Sequence, residues 1–274
     1  MKIIAKEVLV DYAGVRIVRL VLSALEISQK VRAGEFVVVM SCKNGERIPL
    51  TVVCADPQSG TITLIFQEAG LTTKTLGSLN AGDSLYALLG PLGHPTLIKN
   101  YGKVILVGGG VGIAEILPVA KALKAAGNNL TTILGAKTKA LLILEKELQS
   151  FSSVLEVLTD DGSSGEKGFT TVALEKHLKE NQYDLVYAVG PLPMMKKVAE
   201  ISKNFKAPVI VSLNALMVDA TGMCGCCRVT VDGKIKFSCV DGPEFDASKI
   251  DWEELSRRNT MYAKKEQHIC KLGF

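Results

Sequence analysis

Lys103-Val104-Ile105-Leu106-Val107-Gly108-Gly109-Gly110-Val111-Gly112 is the stretch whose reading decides the fold. It begins as a compact apolar strand, runs into glycines, and is followed by helical spacing from Ile113 to Ala126, stopped by Gly127. A strand that turns on glycine into a helix opens a βαβ unit. Such a turn puts backbone N–H groups and a helix N-terminus where a pyrophosphate can sit. The run is not the G-x-G-x-x-G fingerprint, and a glycine turn serving packing alone reads the same way. The surroundings therefore carry the argument.

Downstream, Leu130–Leu134, Val154–Leu158 and Leu185–Val189 read as strands, alternating with helical stretches at Leu141–Gln149, Val172–Glu180 and Met194–Asn204. That alternation predicts a parallel sheet, ending near Pro208–Ser212. Two more loops fall at the carboxyl ends of its strands, where ligands bind in such sheets. They are Thr159-Asp160-Asp161-Gly162 and Gly190-Pro191-Leu192-Pro193-Met194-Met195.

Upstream the pattern is all-β. Ile17–Leu22, Glu35–Met40, Leu50–Cys54, Thr61–Gln67 and Ser84–Leu89 are short runs rich in Val, Ile, Leu and Thr, divided by turn signals such as Asn44-Gly45 and Ala81-Gly82-Asp83. This spacing predicts a small antiparallel barrel. Arg47-Ile48-Pro49-Leu50-Thr51 places a guanidinium and a hydroxyl at a proline-stiffened strand entry, where the arginine could pair with phosphate or be a solvated hairpin charge. Gly70-Leu71-Thr72-Thr73-Lys74 offers amides and hydroxyls to a second phosphate, and Gly90-Pro91-Leu92-Gly93 closes the domain.

Beyond Leu213 lie Cys224, Cys226, Cys227 and Cys239, with a hairpin over Val229–Phe237 around Asp232-Gly233. Clusters of the plant-ferredoxin type use C-x4-C-x2-C and a distant fourth cysteine. Cys224 and Cys227 supply the C-x2-C pair, Asp219 stands where the first cysteine is expected, and the hairpin can return Cys239 to the site. Carboxylate and thiolate each bring one negative charge, so the exchange alters ligand hardness rather than net charge. Two other readings stay open at this point: Cys226 in place of Asp219, and a structural Zn²⁺, although zinc sites usually show two separated C-x2-C pairs. A charged helical tail is expected over Asp251–Lys265.

Composition narrows the function classes. The 274 residues are 47% hydrophobic and 22% charged, with a net charge of +4, which is a globular composition without the basic blocks of a nucleic-acid binder. No apolar run reaches the ~18 residues that cross a bilayer, and Met1–Val10 lacks a signal peptide's apolar core, so a cytoplasmic protein is expected. His94, His177 and His268 read as surface residues, and neither a Ser-His-Asp arrangement nor H-E-x-x-H occurs. No catalytic side chain is expected, because bound cofactors would carry the redox chemistry.

The order of these motifs, and above all Met217-Val-Asp-Ala-Thr-Gly-Met-Cys224-Gly-Cys226-Cys227-Arg-Val-Thr230 with Cys239-Val-Asp-Gly-Pro-Glu-Phe-Asp246 after it, resembles the ferredoxin reductase superfamily. The similar branch holds dihydroorotate dehydrogenase electron-transfer subunits and the small subunits of NADH-dependent reduced ferredoxin:NADP oxidoreductases, also known as sulfide dehydrogenase small subunits. The resemblance spans essentially the whole chain. It implies a β barrel plus α/β fold: an FAD-binding barrel over 1–97, a Rossmann-like NAD(H)-binding domain over 98–212, a 2Fe–2S subdomain over 213–250 and a helical tail over 251–274.

It implies FAD at Arg47, Pro49, Leu50 and Thr51 with Ile65, Phe66 and Gln67 beside them, and the pyrophosphate at Thr72 and Thr73. It implies NAD(H) at Gly108, Gly109, Gly110, Val111, Gly112, Asp160, Asp161, Gly162, Gly190, Pro191, Pro193 and Met194, and the cluster on Asp219, Cys224, Cys227 and Cys239. Three departures stand out. The usual Arg-x-Tyr-Ser is Arg-x-Pro-Leu-Thr, Glu115 replaces a proline, and Val189 replaces the cysteine before Gly-Pro. The implied activity is electron transfer to a large subunit bearing FAD and 4Fe–4S clusters, in electron bifurcation between NADH, NADP and ferredoxin. Alternatives are a dihydroorotate or sulfide/polysulfide partner, or a zinc- and nucleotide-binding module without turnover. Gly135-Ala136-Lys137 rather than an acid follows the second strand, which leaves NAD against NADP open.

Overall fold

The computed structural model describes residues 1–263; His268, Cys270 and the end of the expected tail lie outside the described residues. The chain forms two units. The first comprises Met1–Pro95, Ala215–Pro243 and the segment from Asp251, and the second comprises Thr96–Asn214 with Glu244–Ile250.

In the first unit, strands β1 (Ile3–Tyr12) and β2 (Val15–Ser23) lead through the short helix α1 (Leu25–Ser28) to β3 (Phe36–Met40), β4 (Ile48–Asp56) and β5 (Thr61–Gln67). Helix α2 (Leu71–Ser78) and strand β6 (Ala87–Leu92) follow. The sheet is antiparallel, in the order β1-β2-β5-β4-β3-β6, and a bridge between Lys2 and Ser84 draws the chain start to the stretch before β6. Alternate residues point inward, so Val18, Leu20, Leu22, Val37, Val39, Ile62, Leu64 and Phe66 build one core.

Strand β1 has no counterpart among the predicted strands. Its register shifts between Ile3 and Ala5 and between Val8 and Val10, and Ile4 and Val8 face solvent. The two-residue alternation that marks a half-buried strand is therefore broken. Helix α2, over Leu71–Ser78, is likewise not among the elements expected from the sequence. Its threonines and Gly77 favour helix poorly, but Leu76 is fully buried in the barrel core and packing decides.

The second unit runs β7 (Lys103–Gly109), α3 (Ile113–Ala125), β8 (Asn129–Ala136), α4 (Glu145–Gln149), β9 (Val154–Thr159), β10 (Glu166–Lys167), α5 (Thr170–Glu180), β11 (Leu185–Val189), α6 (Leu192–Asn204) and β12 (Val209–Ser212). Strands β7, β8, β9, β11 and β12 are parallel neighbours, with β7 central and fully apolar from Val104 to Val107. Helix α4 is shorter than expected because Leu144 takes a left-handed conformation (φ 58°), which stops the helix from extending back to Leu141.

The remaining chain forms the hairpin β13 (Arg228–Val231) and β14 (Lys234–Phe237), the short helix α7 (Ser238–Asp241), β15 (Glu244–Asp246) and α8 (Trp252–Asn259). Asp232 and Gly233 both have positive φ, as a two-residue type I′ turn requires. Strand β15 pairs antiparallel with β12, so the predicted parallel sheet carries one antiparallel edge. Helix α8 begins on the Asp251 carboxylate, which accepts from the Glu254 amide.

Candidate functional site: a cysteine loop, a split strand pair and a glycine turn

The cysteine loop belongs to the first unit. Ala220, Gly222 and Gly225 all have positive φ, which curls residues 219–227 tightly. The hairpin then returns the chain, so that the Ser238 amide donates to the Cys227 carbonyl at 3.0 Å and the Cys239 amide to Cys227 Sγ at 3.4 Å. The Cys227 and Cys239 sulfurs, both buried, lie 3.2 Å apart as free thiols. Burial, with the Cys227 thiol alongside, pushes the Cys239 pKa up to about 12. Cys224 is exposed, and the Cys226 amide holds its thiol below the ordinary value. Burial followed by the Cys224 charge raises Cys226.

Asp219 is held at both oxygens: Arg47 Nη1 donates to Oδ1 and the Thr221 hydroxyl to Oδ2. Among the described residues, no three His, Cys, Asp or Glu side chains gather closely enough for a single metal ion. A 2Fe–2S core spreads its four ligands over two irons. One thiol pair already adjacent, with a third thiol and a carboxylate on the same curled loop, is a donor set of that kind.

Helix α8 braces this loop. Arg258 Nη2 donates to the carbonyls of Gly225 and Cys226 at 3.2 and 3.1 Å, and Asn259 Oδ1 accepts from the Leu216 amide at 3.3 Å. The Arg258 Nε and Ser238 Oγ atoms are buried and have no hydrogen-bond partner among the described residues. A buried donor left unmade costs about 1–3 kcal/mol. Neither residue was singled out in the sequence; Ser238 is marked only by standing beside Cys239, and Arg258 by nothing before the fold is known.

The residues expected to hold flavin flank a parting of two barrel strands. Strand β4 pairs with β3 over Ile48–Thr51 and changes partner, joining β5 from Val52 opposite Leu64. Ile48–Thr51 and Ile65–Gln67 are thus not laddered to one another. Pro49 lacks an N–H and is accommodated where β4 has only one neighbour. Ile65 and Phe66 are buried, and the Phe66 side chain belongs to the barrel core, leaving its backbone for any ligand contact.

Thr73 caps α2: its hydroxyl accepts from the Ala69 and Gly70 amides at 2.9 and 3.0 Å. The Thr72 hydroxyl donates to Glu46 Oε2 at 2.6 Å, so an anionic oxygen already suits that position. A Cβ placed on Gly70 would meet no atom within 4 Å, which leaves room before the helix start. Glu46, adjacent to Arg47, was not among the predicted residues.

In the second unit, Gly108 and Gly109 end β7, and a single 3-10 turn over Gly110–Gly112 starts α3. Gly110 has φ 58° and open space around it, whereas a Cβ on Gly112 would lie 2.8 Å from the Val189 carbonyl oxygen. The turn is therefore pressed against the end of β11. The same closeness joins the second predicted loop, since a Cβ on Gly109 would meet Met194 Sδ at 2.6 Å. Pro191 caps α6 and Pro193 sits in its first turn, where a missing N–H costs nothing. The strand order reverses between β8-β7 and β7-β11, the switch point at which nucleotides bind in open sheets. Open space at Gly110 above a 13-residue helix's N-terminus fits a pyrophosphate.

The third loop reaches the end of β8 instead. The Asp160 and Asp161 amides donate to the Ala136 and Lys137 carbonyls, and the Asp161 carboxylate accepts from the Ser163 hydroxyl and amide at 2.6 and 2.9 Å. These bonds from Ser163 lower Asp161 to about 2. Glu115 lies in the first turn of α3, where an acid suits the helix dipole.

His177, expected at the surface, is only partly exposed. Its Nε2 lies 2.7 Å from Glu156 Oε2 and its Nδ1 3.2 Å from the Tyr183 hydroxyl. A further polar cluster escaped the sequence reading: Glu244 Oε1 accepts from Tyr187 at 2.7 Å and Thr96 at 2.5 Å. Burial raises the pKa of both Glu244 and Tyr187. Among the described residues no helix is long and apolar enough to cross a membrane.

Comparison with known proteins bears on both units. A family model described as the iron–sulfur cluster binding domain of dihydroorotate dehydrogenase B matches residues 214–251, and one described as the oxidoreductase NAD-binding domain matches residues 106–200. The chain is 50% identical over 241 residues to a Thermotoga maritima protein named dihydroorotate dehydrogenase B (NAD(+)), electron transfer subunit homolog, covering 88% of this chain and 85% of that one. To the Bacillus caldolyticus dihydroorotate dehydrogenase B (NAD(+)), electron transfer subunit, it is 34% identical over 244 residues, covering 86% and 93%.

Among solved structures, one described as giving insights into flavin-based electron bifurcation via the NADH-dependent reduced ferredoxin-NADP oxidoreductase matches with a TM-score of 0.93 and 44% identity, over 98% of this chain and 96% of that one. A ferredoxin-NADP+ reductase from Plasmodium falciparum, 17% identical, covers 77% of this chain and 94% of its own with a TM-score of 0.64, a likeness of fold alone.

Proposed function

The chain belongs to the family of dihydroorotate dehydrogenase B electron-transfer subunits, and from that membership we propose that it passes electrons between NAD(H), FAD and a 2Fe–2S cluster and hands them to a larger partner subunit in flavin-based electron bifurcation. It is an oxidoreductase subunit with an NAD-binding and an iron–sulfur-binding domain on a ferredoxin reductase-like fold, and its cofactors are NAD(H), FAD and 2Fe–2S. When bound, a flavin exchanges electrons singly or in pairs and so links a two-electron hydride donor to a one-electron cluster.

The chain's own residues bind and orient. In this reading Asp219, Cys224, Cys227 and Cys239 hold the cluster. Arg47, Pro49, Leu50 and Thr51, with Ile65–Gln67, flank the flavin, and Thr72 and Thr73 offer a hydroxyl and the α2 N-terminus to its pyrophosphate. Gly108–Gly112, Asp160–Gly162 and the loop Gly190, Pro191, Pro193 and Met194 receive NAD(H). The observation that carries the reading is the contact between Arg47 and Asp219, because it joins the flavin-side strand entry to the cluster loop within one unit. The partner would carry FAD and 4Fe–4S clusters, with ferredoxin and NADP reached through the complex; the 0.93 TM-score match supports this reading.

Oxygen-free purification of the chain with its native partner tests it. Flavin and two irons per chain, both reduced by NADH, are expected, together with ferredoxin-dependent NADP reduction by the complex. A colourless chain would end the reading. A complex that oxidises dihydroorotate to orotate with reduction of NAD instead would favour the second reading, which the relatives' names support.

A further inference from the structure

Among the described residues, the buried side-chain atoms Ser238 Oγ and Arg258 Nε, which flank the cysteine loop, have no hydrogen-bond partner. Ser238 is fully buried, and its own amide is used on the Cys227 carbonyl. It stands between the returning hairpin and Cys239, whose amide reaches Cys227 Sγ. Arg258 arrives from α8, beyond the residues 214–251 matched by the cluster-binding family model, and its Nη2 is fixed on the Gly225 and Cys226 carbonyls. That fork holds Nε beside the loop with its hydrogen still to be accepted. Protein interiors do not keep such donors idle, and each specific case calls for an acceptor.

We infer that the Ser238 hydroxyl and the Arg258 Nε–H are tuning donors that hydrogen-bond the sulfur atoms of the bound cluster or of its cysteine ligands, so that α8 is part of the redox centre. The inference rests on the cluster assignment proposed above. It follows from the chemistry that sulfur bearing negative charge is an acceptor for both groups, and that such bonds are stronger when the cluster gains an electron. Hydrogen bonds to cluster sulfurs are among the factors that set reduction potential. Removing one should make the cluster harder to reduce. Arg258 adds a fixed positive charge, which acts in the same direction. Both are positioning residues and take no part in bonding the iron.

The test uses the complete chain, purified without oxygen as wild type, Ser238→Ala, Ser238→Thr and Arg258→Lys. Iron is counted, the cluster midpoint is read by electron paramagnetic resonance during redox titration, and exchangeable protons coupled to the reduced cluster are read before and after transfer to heavy water. With iron content unchanged, Ser238→Ala is expected to lower the midpoint by roughly 59 mV, a tenfold change for a one-electron couple. It should also lose one exchangeable proton coupling, which Ser238→Thr restores. Arg258→Lys, which keeps the charge but has no Nε–H, should lose a different coupling.

Wild-type midpoint and couplings in iron-replete Ser238→Ala and Arg258→Lys would overturn the inference while leaving the cluster assignment intact. Iron-free wild type would overturn the cluster assignment itself. Should Ser238→Ala fail to fold, Ser238→Thr and Arg258→Lys decide alone: retained coupling in the first with loss in the second supports the inference, and any other pattern overturns it.

Discussion

Arg47 Nη1 donates to Asp219 Oδ1, joining the entry of β4 to a loop 172 positions further along the chain. The two side chains are 44% and 25% exposed, so water and salt screen the pair, and it should contribute only about 0–1 kcal/mol. Arg47→Ala should therefore shift the melting temperature little. Its larger effect should be on cofactor retention, with FAD lost on gel filtration while iron stays bound. Absorbance at 450 nm after denaturation, against an iron assay, checks both halves. Full flavin with lost iron would move Arg47 from the flavin to the cluster.

Cys226 and Cys239 make a discriminating pair. Cys239 is buried against Cys227, whereas Cys226 is a direct chain neighbour of Cys227 whose backbone carbonyl is held by Arg258. Cys239→Ser should lose most of the iron and its visible bands while keeping FAD, and Cys226→Ser should keep both. Iron retained in full by Cys239→Ser would remove that residue from the ligand set and make Cys226 the replacement to examine.

Gly112 has no room for a methyl group, since its Cβ would sit 2.8 Å from the Val189 carbonyl oxygen and 3.0 Å from Gly190 Cα. Backbone on both sides cannot swing away as a side chain would. Gly112→Ala should cost about 1–3 kcal/mol through overpacking. It should also weaken NADH binding by pushing the turn from the Gly190 loop. Thermal unfolding and an NADH titration of the oxidised protein measure the two effects.

Glu244 links β15 to Tyr187 and Thr96, and burial raises its carboxyl pKa. A folded-state value above the unfolded one means that the native protein binds this proton more tightly. The stabilisation is complete below the unfolded value, about 4.3 for glutamate, and is lost as pH rises through the folded one. Glu244→Gln keeps an acceptor for Tyr187 and Thr96 without the charge, so its stability relative to wild type should improve from pH 4 to pH 7. A difference that is constant with pH would mean the carboxyl does not titrate abnormally. Glu244→Leu, which leaves two donors unmade, should lose about 1–3 kcal/mol per donor at any pH.

Much of the architecture is legible because it rests on local chemistry. The strand Lys103–Val107, the glycine turn and the helix after it follow from apolar periodicity and a break in it, and Asp232-Gly233 names its own turn. Strand β1 and helix α2 are not legible, since bulges erase the period in one and packing of Leu76 overrides threonine-rich sequence in the other. Strand β15 is three residues long and exists only because β12 offers an open edge. At the site, sequence order identifies residues of unusual type, such as glycines, cysteines and one aspartate in a cysteine's place. It is silent about Glu46, Thr221, Ser238 and Arg258, which are ordinary residues given their surroundings only by folding.

The change of partner along β4 has a consequence for how the barrel lives without its pigment. Between Ile48–Thr51 and Ile65–Gln67 the ladder is interrupted, so peptide groups facing the gap must be satisfied by solvent or by a guest. Amides bordering that gap should exchange with heavy water faster than those of the continuous β2–β5 ladder, and slow once a guest is seated. A ligand received there becomes a structural member of the wall, so the empty barrel should melt earlier than the filled one, by a margin that grows with the logarithm of ligand concentration.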